Sequence, residues 1–424
     1  MVSFVQMLTW MKAQNRPRMF ASDHAAIVEL TIKVGSLQEA EGYFENILDS
    51  ATQKAACLPL LHAYVKERET EKAEVLILKL QSLGLIVDAH PLNEMMKLYM
   101  ATGQVGKVPL MIQQMKQNMI KLNVLSYNLW LRACGELAGA ASAEMVYGEM
   151  LSNKKIELGW STYATLANIY SREGFADKAI EALKTAELKL STCKHLGYFF
   201  LMTLYANLNN KDGVHRLWEA SKRVGAKITC AHYMCVLSCL VKIGDFYEAE
   251  RAFRSWEEDA RGRYDIRISN VLLGAYVRNG WIDKAESLHL HTLEKGGRPN
   301  YKTWEILMEG WIKSNEMDKA ISAMKSGFSM LKHCHWRPSS EIVLAIAEHF
   351  KEAEHLKDAK KYIKVLHRLG LTSLALYKAV LKVHVQARNP ALEILKMMEK
   401  DQVHLDEEAS ALIRCLNQIK GGEE

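Results

Sequence analysis

Four groups of residues in this 424-residue chain combine types and spacings that could do chemistry. His333, Cys334 and His335 stand in a row, and Cys230, His232, Cys235 and Cys239 fall within ten residues, so both suggest metal ligation. A closed structural zinc site takes four tetrahedral ligands. The first group offers three in succession, and in the second only Cys235 and Cys239 share a helical face, so no metal is expected at either. Gly103, Gly106 and Lys107 suggest a phosphate loop, but the spacing is wrong and no Ser or Thr follows the lysine. The acidic pairs Glu257-Glu258 and Glu407-Glu408 lack a partner for acid–base work and read as solvated helix charge. Neither His-Glu-x-x-His nor the His-x-Glu and Cys-x-x-Cys of zinc deaminases occurs. No enzymatic activity, cofactor or small-molecule substrate is therefore expected.

What remains is binding chemistry. Lys211, His215, Arg216, Lys222 and Arg223 form one basic cluster, and Arg251, Arg254, Arg261, Arg263 and Arg267 form another. Such cations can displace counterions from phosphates, although on amphipathic helices they are also the ordinary solvated face. The formal charge of +6 and the pI near 8.7 permit a nucleic-acid partner without demanding one.

The elements that would position these groups are helices. Only 7 prolines punctuate a chain rich in Ala, Leu, Glu, Lys and Met. Eight cysteines lack paired spacing, which fits a reducing compartment. Residues 228–241 are uncharged but too short to span a membrane, and the stretch 195–210 is interrupted by Asn and Gly.

The chain repeats itself. Residues 163–183, YATLANIYSREGFADKAIEAL, align with unit starts at 54, 89, 124, 160, 195, 230, 266, 301, 340 and 374, a period near 35, after a degenerate unit from 21. The fourth residue is often aromatic (Tyr127, Tyr163, Tyr198, Tyr233, Trp304, Tyr377), and so is the eleventh (Tyr64, Tyr99, Tyr170, Tyr205, Tyr276, Trp311, Phe350). Seven residues is two helical turns, so both lie on one apolar stripe, and the stripe reads as core. The fifteenth is Gly35, Gly103, Gly174, Gly244, Gly280, Asn209 or Asn315, types that tolerate the left-handed conformation that ends a helix. The twentieth is Ala40, Ala73, Ala143, Ala179, Ala249, Ala285, Ala320 or Ala359, small enough for a second helix to close on the first. A lone hairpin cannot bury its apolar face, so the units must stack, and their first helices line a groove.

The Tyr127-Asn128 pair, the mid-unit glycine, the alanine at position twenty and the Gly296-Gly297-Arg298-Pro299-Asn300 ending resemble the pentatricopeptide repeat. Stretches such as GWSTYATLANIY look like its plain plant P class, and the resemblance runs from residue 1 to about 419. It implies an all-α fold, a right-handed α-solenoid superhelix of helix-turn-helix repeats with about ten 35-residue units. Residues 1–20 would be a partial repeat, a second helix whose first lies upstream of Met1. Residues 21–53 would be a degenerate repeat, 54–406 an array of ten, and 407–424 a capping helix and tail.

The resemblance also implies single-stranded RNA as partner, read by the fifth and last residues of each unit, with the second residue wedged between bases. Carried onto this chain, the pairs Asn93 with Asn123 and Asn270 with Asn300 look like pyrimidine-reading combinations. Asn128 faces Gly159, Met234 pairs with Asp265, and the wedge positions of the two best units hold His90 and Arg267. Leu58, Phe199, Leu344 and Glu305 offer no base-edge chemistry, so weak base preference is expected. Each Asn has a second reading as a helix cap. The family implies a role in organellar RNA processing, stability or translation. The alternative is a protein-binding scaffold associated with an organellar ribosome. Mitochondria are expected, plastids are the alternative, and no targeting segment is visible in the chain.

Overall fold

A computed structural model describes residues 20–190, 195–224, 227–259, 264–330, 337–352 and 355–421. The helix expected before Asn15, the His333-Cys334-His335 run, Arg261 and Arg263 lie outside the described residues. Every regular element among the described residues is a helix, and none is long and apolar enough to cross a membrane.

The chain divides into two compact units, residues 1–226 and 227–424, each a stack of helical hairpins. Unit 1 pairs α1 (Ala21–Val34) with α2 (Leu37–Glu45), α3 (Ser50–Glu67) with α4 (Thr70–Ser82), and α5 (His90–Ala101) with α6 (Lys107–Gln117). The bent α7 (Val124–Ser152) follows, then α8 (Trp160–Arg172) with α9 (Ala176–Leu188), and α10 (His195–Asn207) with α11 (Lys211–Arg223). Unit 2 pairs α12 (Cys230–Lys242) with α13 (Phe246–Asp259), α14 (Ile266–Arg278) with α15 (Ile282–Glu294), and α16 (Tyr301–Lys313) with α17 (Met317–Met330). It continues with α18 (Ser340–Glu352) and α19 (Leu356–Arg368), then α20 (Leu374–Gln386) and α21 (Leu392–Lys400), and ends on α22 (Glu407–Gly421).

The small residue at position twenty does what its size allows. All eight alanines there are at most 1% exposed, so the second helix lies directly on the first. The turn residue at position fifteen is left-handed in Gly103, Gly174, Gly244 and Gly280, and also in Asn209 and Asn315. Arg68 and Arg388 take the same conformation (φ 60° and 46°), which side-chain type alone does not announce. Gly35 departs from expectation with φ −105°, because the short α1–α2 connection passes straight into the Ser36 cap of α2.

Two boundaries differ from the repeat register. α3 starts at Ser50, four residues before the expected unit start, because Asp49 caps it, accepting from the Thr52 N–H at 2.8 Å and hydroxyl at 2.6 Å. α7 contains both helices of its hairpin, joined at Ala138 and at Gly139 (φ 78°) without a loop. Glu173 from the next hairpin caps the second half, accepting from the Ala140 N–H at 2.8 Å.

The aromatic at position eleven is more than core. Tyr99 donates its hydroxyl to Glu74 at 3.0 Å, and Lys107 meets the same carboxylate at 2.7 Å while lying 5.2 Å over the Tyr99 ring. The clamp recurs as Tyr170, Glu144 and Lys178, as Tyr276, Glu250 and Lys284, and with Trp311, Glu286 and Lys319. Each joins consecutive hairpins and satisfies a half-buried hydroxyl or indole N–H. The lysines hold Glu74, Glu144 and Glu286 below the usual carboxylate range, so this contribution is present at neutral pH and lost as acid reaches the depressed values.

Candidate functional site

The last residue of a unit directly precedes the next first helix, which makes it an N-cap. Asn123 and Asn300 hold extended backbone ahead of α7 and α16, and each Oδ1 accepts an N–H at 3.0 Å, from Ser126 and Thr303. Helix N-termini present N–H groups without intrahelical partners, so the cap stabilises by about 1 kcal/mol. It also fixes the amide orientation: Oδ1 must face the N–H, so Nδ2 faces away.

The fifth residues pack against these caps from thirty positions back in sequence. Asn93 Nδ2 donates to Asn123 Oδ1 at 3.2 Å, and Asn270 Nδ2 donates to Asn300 Oδ1 at 3.2 Å. The Ser126 hydroxyl donates to Asn93 Oδ1 at 2.8 Å, and the Thr303 hydroxyl to Asn270 Oδ1 at 2.9 Å. Both fifth-position amides are thereby committed within the protein, at 1% exposure for Asn93 and 9% for Asn270. The half-buried caps keep a free group. Nδ2 of Asn123 and of Asn300 has no hydrogen-bond partner among the described residues, so each pair presents a donor from its last residue.

A third pair is incomplete. Asn128 stands where Asn93 and Asn270 do, but its cap is Gly159, and Asn128 Nδ2 donates to the Ser161 hydroxyl at 3.2 Å instead. Asn128 Oδ1 and Thr162 Oγ1 are both buried without a partner among the described residues. Thr162 occupies the position of Ser126 and Thr303, so these orphans mark a missing cap side chain.

Met234 is half-buried on α12, and its paired Asp265 caps α14 by accepting the Arg267 N–H at 3.1 Å. Arg267 folds back on the same carboxylate, with Nε to Oδ1 at 2.9 Å and Nη2 to Oδ2 at 2.6 Å. The wedge residue of this unit is thus held by the last residue of the unit before. The other wedge residue, His90, is exposed at the start of α5. His232, weighed above as a metal ligand, caps α12, its Nδ1 accepting the Thr229 N–H at 3.2 Å, and Cys239 is buried in the core.

Charge separates the two complete pairs. Around the Asn270 pair, a cavity of about 640 Å³ opens on the first-helix face of unit 2. Asn270 lines it, with Lys242, Arg267, Arg278 and Lys302 as cations and Glu309 as the one carboxylate. Glu309 is taken by Lys313 at 2.8 Å and Lys302 by Glu305 at 2.6 Å, while Arg278 is exposed and has no ion-pair partner among the described residues. Beside the Asn93 pair, Glu94 holds Lys97 at 2.6 Å and His62 at 3.5 Å, and on the following first helices Glu136 holds Arg132 at 3.0 Å and Arg172 at 3.7 Å. The unit 1 face neutralises itself. Sequence reasoning passed over Lys242, Arg278 and Lys302. The signal was a basic residue two positions before the turn, recurring one repeat later at Arg278 and again at Lys313.

Comparison with known proteins agrees with this architecture. The family description "Pentatricopeptide repeat domain" matches residues 75–137, and "PPR repeat" matches residues 161–185 and 268–296. A pentatricopeptide repeat-containing protein of Arabidopsis thaliana is 53% identical over 94% of this chain and 82% of its own length. Another from that plant, named as mitochondrial, is 32% identical over 98% of this chain and 77% of its own. A third, its large ribosomal subunit protein mL101 (rPPR4), is 31% identical over 94% and 81%. Among solved structures, the pentatricopeptide repeat protein PPR10 in complex with an 18-nt psaJ RNA element matches the fold with TM-score 0.50. The match has 17% identity and covers 99% of this chain and 70% of that one.

Proposed function

Because this chain belongs to the family of pentatricopeptide repeat-containing proteins, we propose that it binds single-stranded RNA on the first-helix face of unit 2 and acts on organellar RNA processing, stability or translation. The observation that carries this is the cavity lined by Asn270 and four cations, among them Arg278 without an ion-pair partner among the described residues, beside the Asn300 amide that Asn270 hydrogen-bonds. Cations there would hold phosphates, and the Asn300 Nδ2 would donate to a base edge. Every base offers an acceptor, so a lone donor gives weak preference, in keeping with the many fifth positions that carry no base-edge group. Binding, not catalysis, is the proposed activity. The array is proposed to span residues 54–406 and to be closed by 407–424. Mitochondria are the proposed location, on the strength of relatives that carry that word in their names.

The test is binding of the purified chain to a pool of short single-stranded RNAs at two salt concentrations. Sub-micromolar, salt-sensitive binding that weakens in Asn300→Ala supports the reading. Absence of binding at low salt ends it. A second reading, a protein-binding scaffold on an organellar ribosome, draws on the 31% identity to mL101 and on the half-buried apolar fifth positions Leu58 and Leu344. Co-sedimentation with the mitochondrial large ribosomal subunit, with no affinity for free RNA, would select it.

A further inference from the structure

The last repeat builds the same frame as the Asn270 unit and fills it with charge. Its fifth residue is Lys378, its last is Asp406, the next helix carries Glu408 at its second position, and Lys382 lies one turn beyond Lys378. Asp406 caps α22 as Asn300 caps α16, with Oδ1 accepting the Ala409 N–H at 2.8 Å. Its other oxygen meets Lys378 Nζ at 2.8 Å. Glu408 spans both lysines, reaching Lys378 and Lys382 at 2.6 Å each. These contacts hold both carboxyls below the usual range and push Lys378 up, the directions of mutually stabilised charges. The cavity there, about 430 Å³, is lined by Lys351, Lys378 and Lys382 but also by Glu348 and Glu408.

From this geometry we infer that α22 is an end-stop: Asp406 and Glu408 occupy the places that RNA phosphates would take on Lys378 and Lys382, and so close the last repeat to RNA. A phosphate entering this frame would gain two ammonium groups and face two carboxylates already within hydrogen-bond distance of them, with no net attraction left. Arg278, with no such carboxylate, is open to a phosphate. The RNA register therefore ends before the last repeat, and the residues that set this limit are acids on the capping helix. The inference rests on the RNA reading of the groove.

The experiment compares two double variants and one single variant of the full chain by RNA affinity against salt. Lys378→Gln with Lys382→Gln should leave affinity within about twofold, because those lysines are already neutralised, whereas Arg278→Gln should weaken it by about tenfold. Asp406→Asn with Glu408→Gln keeps a capping amide at 406, and should steepen the log–log salt dependence by about 0.7 for each of the two phosphates gained. It should also lengthen the nuclease-protected fragment. If losing Lys378 and Lys382 proves as costly as losing Arg278, or the acid variant leaves slope and footprint unchanged, the end-stop is overturned while the RNA reading stands. If the unaltered chain takes no RNA, the RNA reading fails first and the end-stop with it.

Discussion

Two regions of this molecule build the same small structure and surround it differently. The pair Asn93 and Asn123 in unit 1 and the pair Asn270 and Asn300 in unit 2 share donors, acceptors and distances to within 0.1 Å, each locked by the hydroxyl of Ser126 or Thr303. Around the first, cations and carboxylates pair among themselves. Around the second, Arg267 and Lys302 are paired with Asp265 and Glu305, but Arg278, lining a cavity there, has no ion-pair partner among the described residues. The lesson is that the fifth and last residues of a repeat make a joint between hairpins. On the proposed reading, whether the joint is also a site is decided by the second, ninth and thirteenth residues of its neighbours.

The largest effect should follow from breaking the joint itself. Asn93→Ala and Asn270→Ala each remove an acceptor from a buried hydroxyl and a donor from a cap, so each should cost about 1–3 kcal/mol of stability. Chemical denaturation monitored by circular dichroism measures this, and the two losses should match. A clear inequality would mean that the shared geometry does not carry shared energy. RNA affinity of the folded variants should separate them, falling for Asn270→Ala and holding for Asn93→Ala.

Charge is the next lever, and it acts on one region only. Arg132→Gln with Arg172→Gln removes two ion-paired cations from unit 1, and Arg278→Gln removes one cation from unit 2 that has no ion-pair partner among the described residues. The unit 2 variant should lose about tenfold in RNA affinity at low salt, about 1.4 kcal/mol, and show a shallower salt slope. The unit 1 variant should change little, because Glu136 already answers both arginines. Equal losses would erase the distinction between the two faces.

These differences mark how far the sequence could be read. The hairpin was legible because its requirements are local: a small residue at Ala179 or Ala285, a left-handed turn at Gly174 or Gly280, an aromatic stripe of helical period. Arg68 and Arg388 turn the chain in the same way with no signal in their type. The Asn pairs were legible as pairs, but the division of labour within them was not. That the fifth amide is buried and the last one presents its donor depends on a hydroxyl three residues into the next helix, a three-body relation across 33 positions. The clamps from Tyr99 to Glu74 and Lys107 stayed hidden for the same reason, although the Lys72-Ala73-Glu74 triplet was a usable trace of them.

A smaller effect would complete the comparison by making a third joint. Gly159 holds φ −97° and ψ 177°, backbone that any residue adopts, and a Cβ there meets nothing within 4 Å. Gly159→Asn can therefore place a cap oxygen near the Thr162 N–H, as Asn123 does for Ser126. Thr162 Oγ1 and Asn128 Oδ1, both buried and unpartnered, would then sit in the arrangement that joins Ser126 to Asn93. Replacing a glycine cap by asparagine gains only a few tenths of a kcal/mol, so most of the expected gain of about 1 kcal/mol must come from the two orphaned atoms. A thermal melt reads the sum, and Thr162→Val in the same background isolates its source. The valine variant should erase most of the gain if the hydroxyl is what the new joint satisfies. A gain that survives Thr162→Val would belong to the cap alone, and the joint would then be two independent contacts and not one three-residue unit.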